Sequence, residues 1–330
     1  MANVTEWNSR LSTYAVADPA RSAVQLAVTL AIFAGALAAA FACYRVFALL
    51  ALPASCVAGI MLVRLFIVQH DCGHRSFLKS RVACDWIGRS LSVLTLTPYG
   101  YWRRDHDKHH ATSGNLDKRG FGDIKTLTVR EYRDLGFWGR ASYRAYRNPA
   151  VLFGIGPTWQ FLIRFRMPFG LGGRSAVSSR SSILLTNGAL AAFLGVLVLA
   201  LGFRAVAVVW LPTVVTAATL GIWMFYVQHQ FDETYWRRDG EWGFVDAAMQ
   251  GCSFYRLPAW MHWATGWIGY HHIHHLSSRI PSYNLPKAFA EIPELRTVKS
   301  IGIMESLRCI RLTLWCEERC RLVTFREARA

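Results

Sequence analysis

Acidic residues are scarce in this chain: 21 Asp and Glu stand against 37 Lys and Arg in 330 residues, a formal charge of +16. Lysine is scarce as well, 6 residues against 31 Arg, which we read as coding bias. The apolar share of 53 % excludes intrinsic disorder. No CxxC pair occurs among the eight cysteines, which removes the usual thiol frameworks of zinc ribbons and redox motifs. Cys43 and Cys56 lie inside apolar runs. Cys316 and Cys320 stand four apart in a charged tail that reads as helix, and two thiols alone make a poor zinc site. The cysteines therefore read as reduced and on the cytoplasmic side.

Charge is missing altogether from several long stretches. Ser22 to Tyr44 is a 23-residue apolar run, and Val46 to Gln69 is interrupted only by Arg64. At about 1.5 Å per residue, each can cross a hydrocarbon layer of about 30 Å. Asp18-Pro19 supplies a helix-start signal to the first, and its length and the prompt second run argue against a cleaved signal peptide. Ile183 to Phe203 and Ala205 to Val227 repeat the plan. Two helical hairpins follow. The expected fold is an all-α integral membrane protein, four transmembrane helices plus a helical cytoplasmic cap. Its parts are an N-terminal segment 1–21, hairpin 22–69, cap 70–182, hairpin 183–227, and a second cap part with tail, 228–330.

Of the 37 basic residues, 2 lie in 1–21, 19 in 70–182 and 13 in 228–330, so 34 share one side. The positive-inside rule makes that side cytoplasmic, with Arg64 expected to reach its headgroups by snorkelling. A bacterial cytoplasmic membrane with both termini inside is the expected location. Membrane lipids are the expected partner of the positive charge, and nucleic acid is not needed to explain it.

The second and fourth runs echo one another. Leu52-Pro53 precedes Val68-Gln69-His70 by the spacing at which Leu211-Pro212 precedes Val227-Gln228-His229. The echo predicts a proline kink near the outer end of each helix and puts His70 and His229 at one height.

Nine of the 11 histidines fall into three clusters: His70 and His74 in HDCGH, His106, His109 and His110 in HDKHH, and His271, His272, His274 and His275 in HHIHH. Spacings of three and four residues share a helix face, so HxxxH offers two imidazoles and HxxHH three to one point. Imidazole suits iron, zinc and copper alike. Eight imidazoles in such boxes exceed the coordination of one ion and favour two metals.

HDCGHRSF, WRRDHDKHHATSGNLDKRGFGDI, QHQFDETYW and GYHHIHHLSSRIPSYNL, in this order across most of residues 45–290, resemble the membrane fatty acid desaturases, closest to the bacterial acyl-lipid and ω-6 type. The resemblance implies a non-haem di-iron centre of two iron ions on the cytoplasmic face, O2 as co-substrate and a ferredoxin-like electron donor. It implies His70, His74, His106, His109, His110, His271, His274 and His275 as ligands, with His229 as a ninth. His272 is then a supporting residue and His262 a structural one. Phe225 stands where some relatives place an asparagine. Glu233, one turn after His229, is expected to assist the site, as are Asp71 and Asp105 among the flanking residues Asp107, Asn115, Asp117 and Asp123. Part of that flanking set reads as solvated charge.

The function so implied is an O2-dependent desaturase of membrane-lipid acyl chains, phospholipid favoured over acyl-CoA or acyl carrier protein. The alternative is a di-iron hydroxylase or oxygenase of an alkyl, acyl or carotenoid substrate. A metal transporter is disfavoured, because these spans hold almost no ionisable residue within the bilayer. Aromatic stretches around 95–102, 150–165 and 254–270 are candidate walls of an acyl tunnel.

Overall fold

A computed structural model describes residues 3–120, 122–168 and 176–329. Phe121, within the second quoted motif, lies outside the described residues. After a short amphipathic helix α1 (Val4–Leu11) comes α2 (Pro19–Val46), whose start is built by Asp18: its side chain accepts from the N–H groups of Ala20 and Arg21. Helix α3 (Ala51–Gly73) returns alongside it. Pro53 occupies the first turn of α3, where its missing N–H leaves no bond unmade, so the expected outer kink has no cause there.

Helix α4 (Arg81–Thr95) and α5 (Tyr99–Thr112) fold back on the end of α3. Strand β1 (Leu127–Thr128), α6 (Val129–Asp134) and α7 (Phe137–Tyr146) follow. A single π turn, Val151–Ile155, then leads into α8 (Gly156–Leu162). The second hairpin is α9 (Ala176–Leu201) and α10 (Phe203–His229), joined through Gly202 at φ 86°. Pro212 does lie inside α10. Among the described residues, four helices are thus long and apolar enough to span a membrane, and α3 packs against both α2 and α10.

The remaining chain forms α11 (Phe244–Gly251), β2 (Phe254–Arg256), α12 (Ala259–Ala264), α13 (His271–Leu276), α14 (Leu285–Glu291), β3 (Ser300–Gly302), α15 (Ile303–Cys309), β4 (Leu314–Cys316) and β5 (Arg321–Val323). Two small sheets therefore interrupt the helical cap. The pair β2–β3 is parallel, and β1–β4–β5 ends in an antiparallel hairpin. This corrects the helical reading of the tail. Cys316 ends β4 and Cys320 sits in the turn at φ 47°, while Leu314, Trp315, Leu322 and Val323 are buried, two neighbouring residues on each strand, so the segment lacks the inside–outside alternation that marks a strand in sequence.

Arg64 also departs from expectation. It is 3 % exposed, its Nε donating to Thr29 Oγ1 at 3.0 Å and its terminal nitrogens to the Trp263 carbonyl and Gln25 Oε1, with the guanidinium over the rings of Trp263 and Trp267. Three acceptors from α2 and α12 satisfy it inside the protein, so it clasps the first hairpin to the cap instead of reaching for headgroups.

Candidate metal centre

Four helices deliver nine imidazoles to one place. They form two groups, His70, His74, His106, His110 and His274 in one and His109, His229, His271 and His275 in the other, each with its ligand atoms within 4.8 Å of one another. The boxes do not each serve one point. On α5, His106 and His110 turn to the five-membered group and His109 to the other; on α13, His271 and His275 share the four-membered group and His274 crosses to the first. Positions i and i+4 nearly superpose along a helix while i+3 and i+4 diverge by about 100°, so α5 and α13 are seated between the groups and feed both. Helix α3 carries His70 in its last turn and α10 ends at His229, His70 entering the first group and His229 the second.

The imidazoles fit a cation. Asp123 Oδ1 lies 2.6 Å from His109 Nδ1, and the Gly251 carbonyl 3.3 Å from His229 Nδ1, so both rings carry their proton on Nδ1. Their Nε2 lone pairs nevertheless face each other at 3.2 Å, with His271 Nε2 a further 2.9 Å from His229 Nε2. Lone pairs so placed repel unless a cation stands between them. In the other group, His110 Nε2 lies 3.1 Å from that of His106 and 3.0 Å from that of His274. The Nε2 atoms of His74 and His275 are buried without a hydrogen-bond partner. Burial holds His74, His106, His110, His271, His274 and His275 well below the usual histidine range, keeping them neutral, the form in which imidazole binds metal.

The carboxylates divide sharply. Asp71 touches a ring, its Oδ1 3.3 Å from His70 Nδ1, while Oδ2 accepts from the Ser282 N–H at 2.8 Å and ties the first box to the segment after the third. Asp123 holds His109, a role the flanking pattern left undistinguished from its neighbours. Asp105 meets no imidazole; it lies by Tyr101, and burial raises its carboxyl above the usual range. Asp107 is exposed with Arg103 at 3.8 Å, Asp117 pairs with Arg238, and Asn115 donates to Asp239.

Glu233 is a plain correction. It stands 73 % exposed, 3.2 Å from Lys299 Nζ, because α10 ends at His229 and the chain turns away before completing another helical turn. Glu233→Gln is expected to leave metal content and turnover unchanged, whereas Asp123→Asn should weaken metal binding about 10- to 100-fold, both read as metal per chain against chelator concentration.

His272 faces away from the groups into a nest with Phe254 and Phe289. His262 stacks on Tyr270 and accepts the Leu257 N–H at 3.2 Å, a structural role. Two neighbours had no sequence signal: the Gly251 carbonyl and the Cys252 thiol, whose Sγ lies 3.7 Å from His229 Nδ1. Phe225 packs on His109 and His229, ring centres 5.1 Å from each, and Trp102 stacks on His106 at 4.6 Å.

A cavity of about 620 Å³ reaches this centre. It touches His70 and His106 of one group and His271 of the other, and is walled by α3, α5, α8 and α10 through residues such as Leu62, Phe66, Trp102, Phe161, Met224 and Phe225. The stretches 95–102 and 150–165 contribute several aromatic walls; 254–270 contributes none, only the aliphatic Ile268.

The fatty acid desaturase family profile matches residues 46–301. A fatty acid desaturase of Bacillus subtilis is 39 % identical over 317 residues, covering 96 % of this chain and 89 % of that protein. An sn-1 oleoyl-lipid 12-desaturase of Picosynechococcus is 30 % identical over 78 % of this chain and 74 % of its own. An sn-1 acyl-lipid omega-3 desaturase (ferredoxin) of Synechocystis is 30 % identical over 70 % and 64 % respectively. Matched across most of its length, and almost end to end by one relative, the chain belongs to the fatty acid desaturase family and is an oxidoreductase.

Proposed function

We propose that the enzyme uses O2 to place a double bond in acyl chains carried on membrane lipids, with one iron held by each histidine group and electrons from a ferredoxin-like donor. The observation that carries this reading is the apolar cavity ending on histidines of both groups. An unactivated methylene offers no acid–base handle, so the protein's share of the work is positioning and exclusion of water. Iron bound there would supply O2 activation and hydrogen removal from such carbons.

The chain's own residues do the rest. Asp123, Asp71 and the Gly251 carbonyl hold Nδ1–H groups and so aim the Nε2 atoms inward. Leu62, Val63 and Phe66 of α3 and Ala218, Ile222 and Phe225 of α10 give a straight alkyl chain an apolar path to the histidines. The lipid-linked relatives support a substrate presented from the bilayer, and the ferredoxin-linked one supports the donor. The one-sided basic charge supports a cap on the cytoplasmic face of a bacterial inner membrane.

Expression in a bacterium of known lipids, followed by gas chromatography of its fatty acids with double-bond localisation, tests the reading. The expected result is new unsaturated chains in phospholipid, dependent on O2. Chains that gain an oxygen atom, instead of losing two hydrogens, would make it a hydroxylase.

A further inference from the structure

The two histidine groups differ in their access to the outside. Every member of the four-membered group is buried, whereas His74, His106 and His110 of the five-membered group are only half-buried. His106 lines the acyl cavity; His74 and His110 do not, so their open edges face elsewhere. His74 ends α3 against α5, where Gly73 abuts Trp102 and Arg103. Around it stand Arg75 and Arg103, both held by Asp85 at 3.8 and 3.3 Å, with exposed Lys79, Arg81 and Lys108 beyond. Five cations thus share this stretch of chain with the carboxylates Asp85 and Asp107, and a third, half-buried carboxylate, Asp105, lies by Lys108, which leaves a positive balance.

We propose that this rim, over His74 and His110, is where an acidic one-electron donor protein docks, so that electrons enter by the five-histidine group. The inference rests on the ferredoxin-like donor proposed above and assigns it a place. Charge complementarity selects the partner: the rim is positive, and the single charge of Asp85 stands against two guanidinium groups and so does not cancel them. Such encounters are small, short-lived and steered by long-range charge. The stoichiometry requires two encounters per turnover. One saturated carbon–carbon unit, O2, two electrons and two protons yield one double bond and two waters, and each reduced one-electron donor supplies one electron.

The test uses the full-length enzyme in lipid nanodiscs with an acidic [2Fe–2S] ferredoxin. Lys79→Glu with Arg81→Glu reverses two exposed charges outside the metal centre; the second falls in the first turn of α4, where an acidic residue suits the helix dipole. The expected result is a rise of about tenfold or more in the Kd for oxidised ferredoxin and in the KM for reduced ferredoxin. Turnover supported by dithionite should be unchanged, and the salt dependence of the ferredoxin reaction should flatten. The control reverses Arg311 and Arg319, exposed cations near the C-terminal hairpin, and should leave both constants alone. Unchanged Kd and KM in the first variant, or an equal rise in the control, overturns the rim as the docking site while leaving the donor reading intact. Wild-type enzyme that turns over with dithionite and never with ferredoxin overturns both.

Discussion

His110→Ala is expected to abolish double-bond formation while the protein still accumulates in the membrane. His110 is central to the five-membered group: its Nε2 lies between those of His106 and His274, and its ring stacks on His275 at 4.1 Å. Removing it deletes a donor from one group and a packing partner from the other. With one iron in each group, as proposed, iron per chain should fall from two to about one or less, since loss even of a residue behind a ligand costs about 10- to 100-fold in affinity. His106→Ala, His271→Ala and His275→Ala should behave alike. His272→Ala provides the contrast. It empties a fully buried site among Phe254 and Phe289, so it should lower stability while the folded fraction keeps its metal. Iron analysis beside fatty acid chromatography reads both, and full activity in His110→Ala would refute its role.

Gly221→Phe should change which acyl chains the enzyme accepts. The cavity follows α10 from Gln228 to Val214, about 21 Å at 1.5 Å per residue. Gly221 lies midway along that wall, and a Cβ placed on it meets nothing within 4 Å, so a phenyl ring has room to enter the space a substrate would use. Near the Val214 end of that wall the two helices cross tightly: a Cβ on Gly59 would meet Thr216 at 2.6 Å and the Thr213 carbonyl at 2.7 Å. Glycine at 59 lets α3 and α10 touch; glycine at 221 keeps the middle of the wall open. Long-chain substrates should lose about tenfold or more in kcat/KM while shorter ones are retained, a discrimination of the size apolar pockets provide. Gly221→Phe should also not unfold the protein, since phenylalanine is a better helix residue than glycine. Chain-length profiling of the products decides the matter, and an unaltered profile would remove Gly221 from the wall.

The spans and the histidine clusters were legible because both are dense local signals: uncharged runs of helix length, and imidazoles at helical spacings. The nine histidines singled out are the nine brought together. Their division between two groups was not legible, because it depends on which side of α5 and α13 each neighbour lies. Glu233 misled for a related reason. The echo between α3 and α10 holds as far as His229 and then fails, and no residue type announces where the likeness ends. Asp123, 14 residues beyond His109, looked like any loop carboxylate until the fold closed the gap to 2.6 Å. Arg64 was read from the bilayer's point of view, while its acceptors come from residues 25, 29 and 263. The C-terminal hairpin was hidden because its two strands are three residues long, bury adjacent residues without alternating, and flank the charged turn Glu317-Glu318-Arg319.

Both histidine groups draw on α13, the five-membered one through His274 and the four-membered one through His271 and His275. While the chain is being made, all four membrane helices are complete before any of these residues emerges. A partly synthesised chain therefore carries six of the nine imidazoles and neither completed group. On the function proposed above, the last box to leave the ribosome completes both metal sites at once.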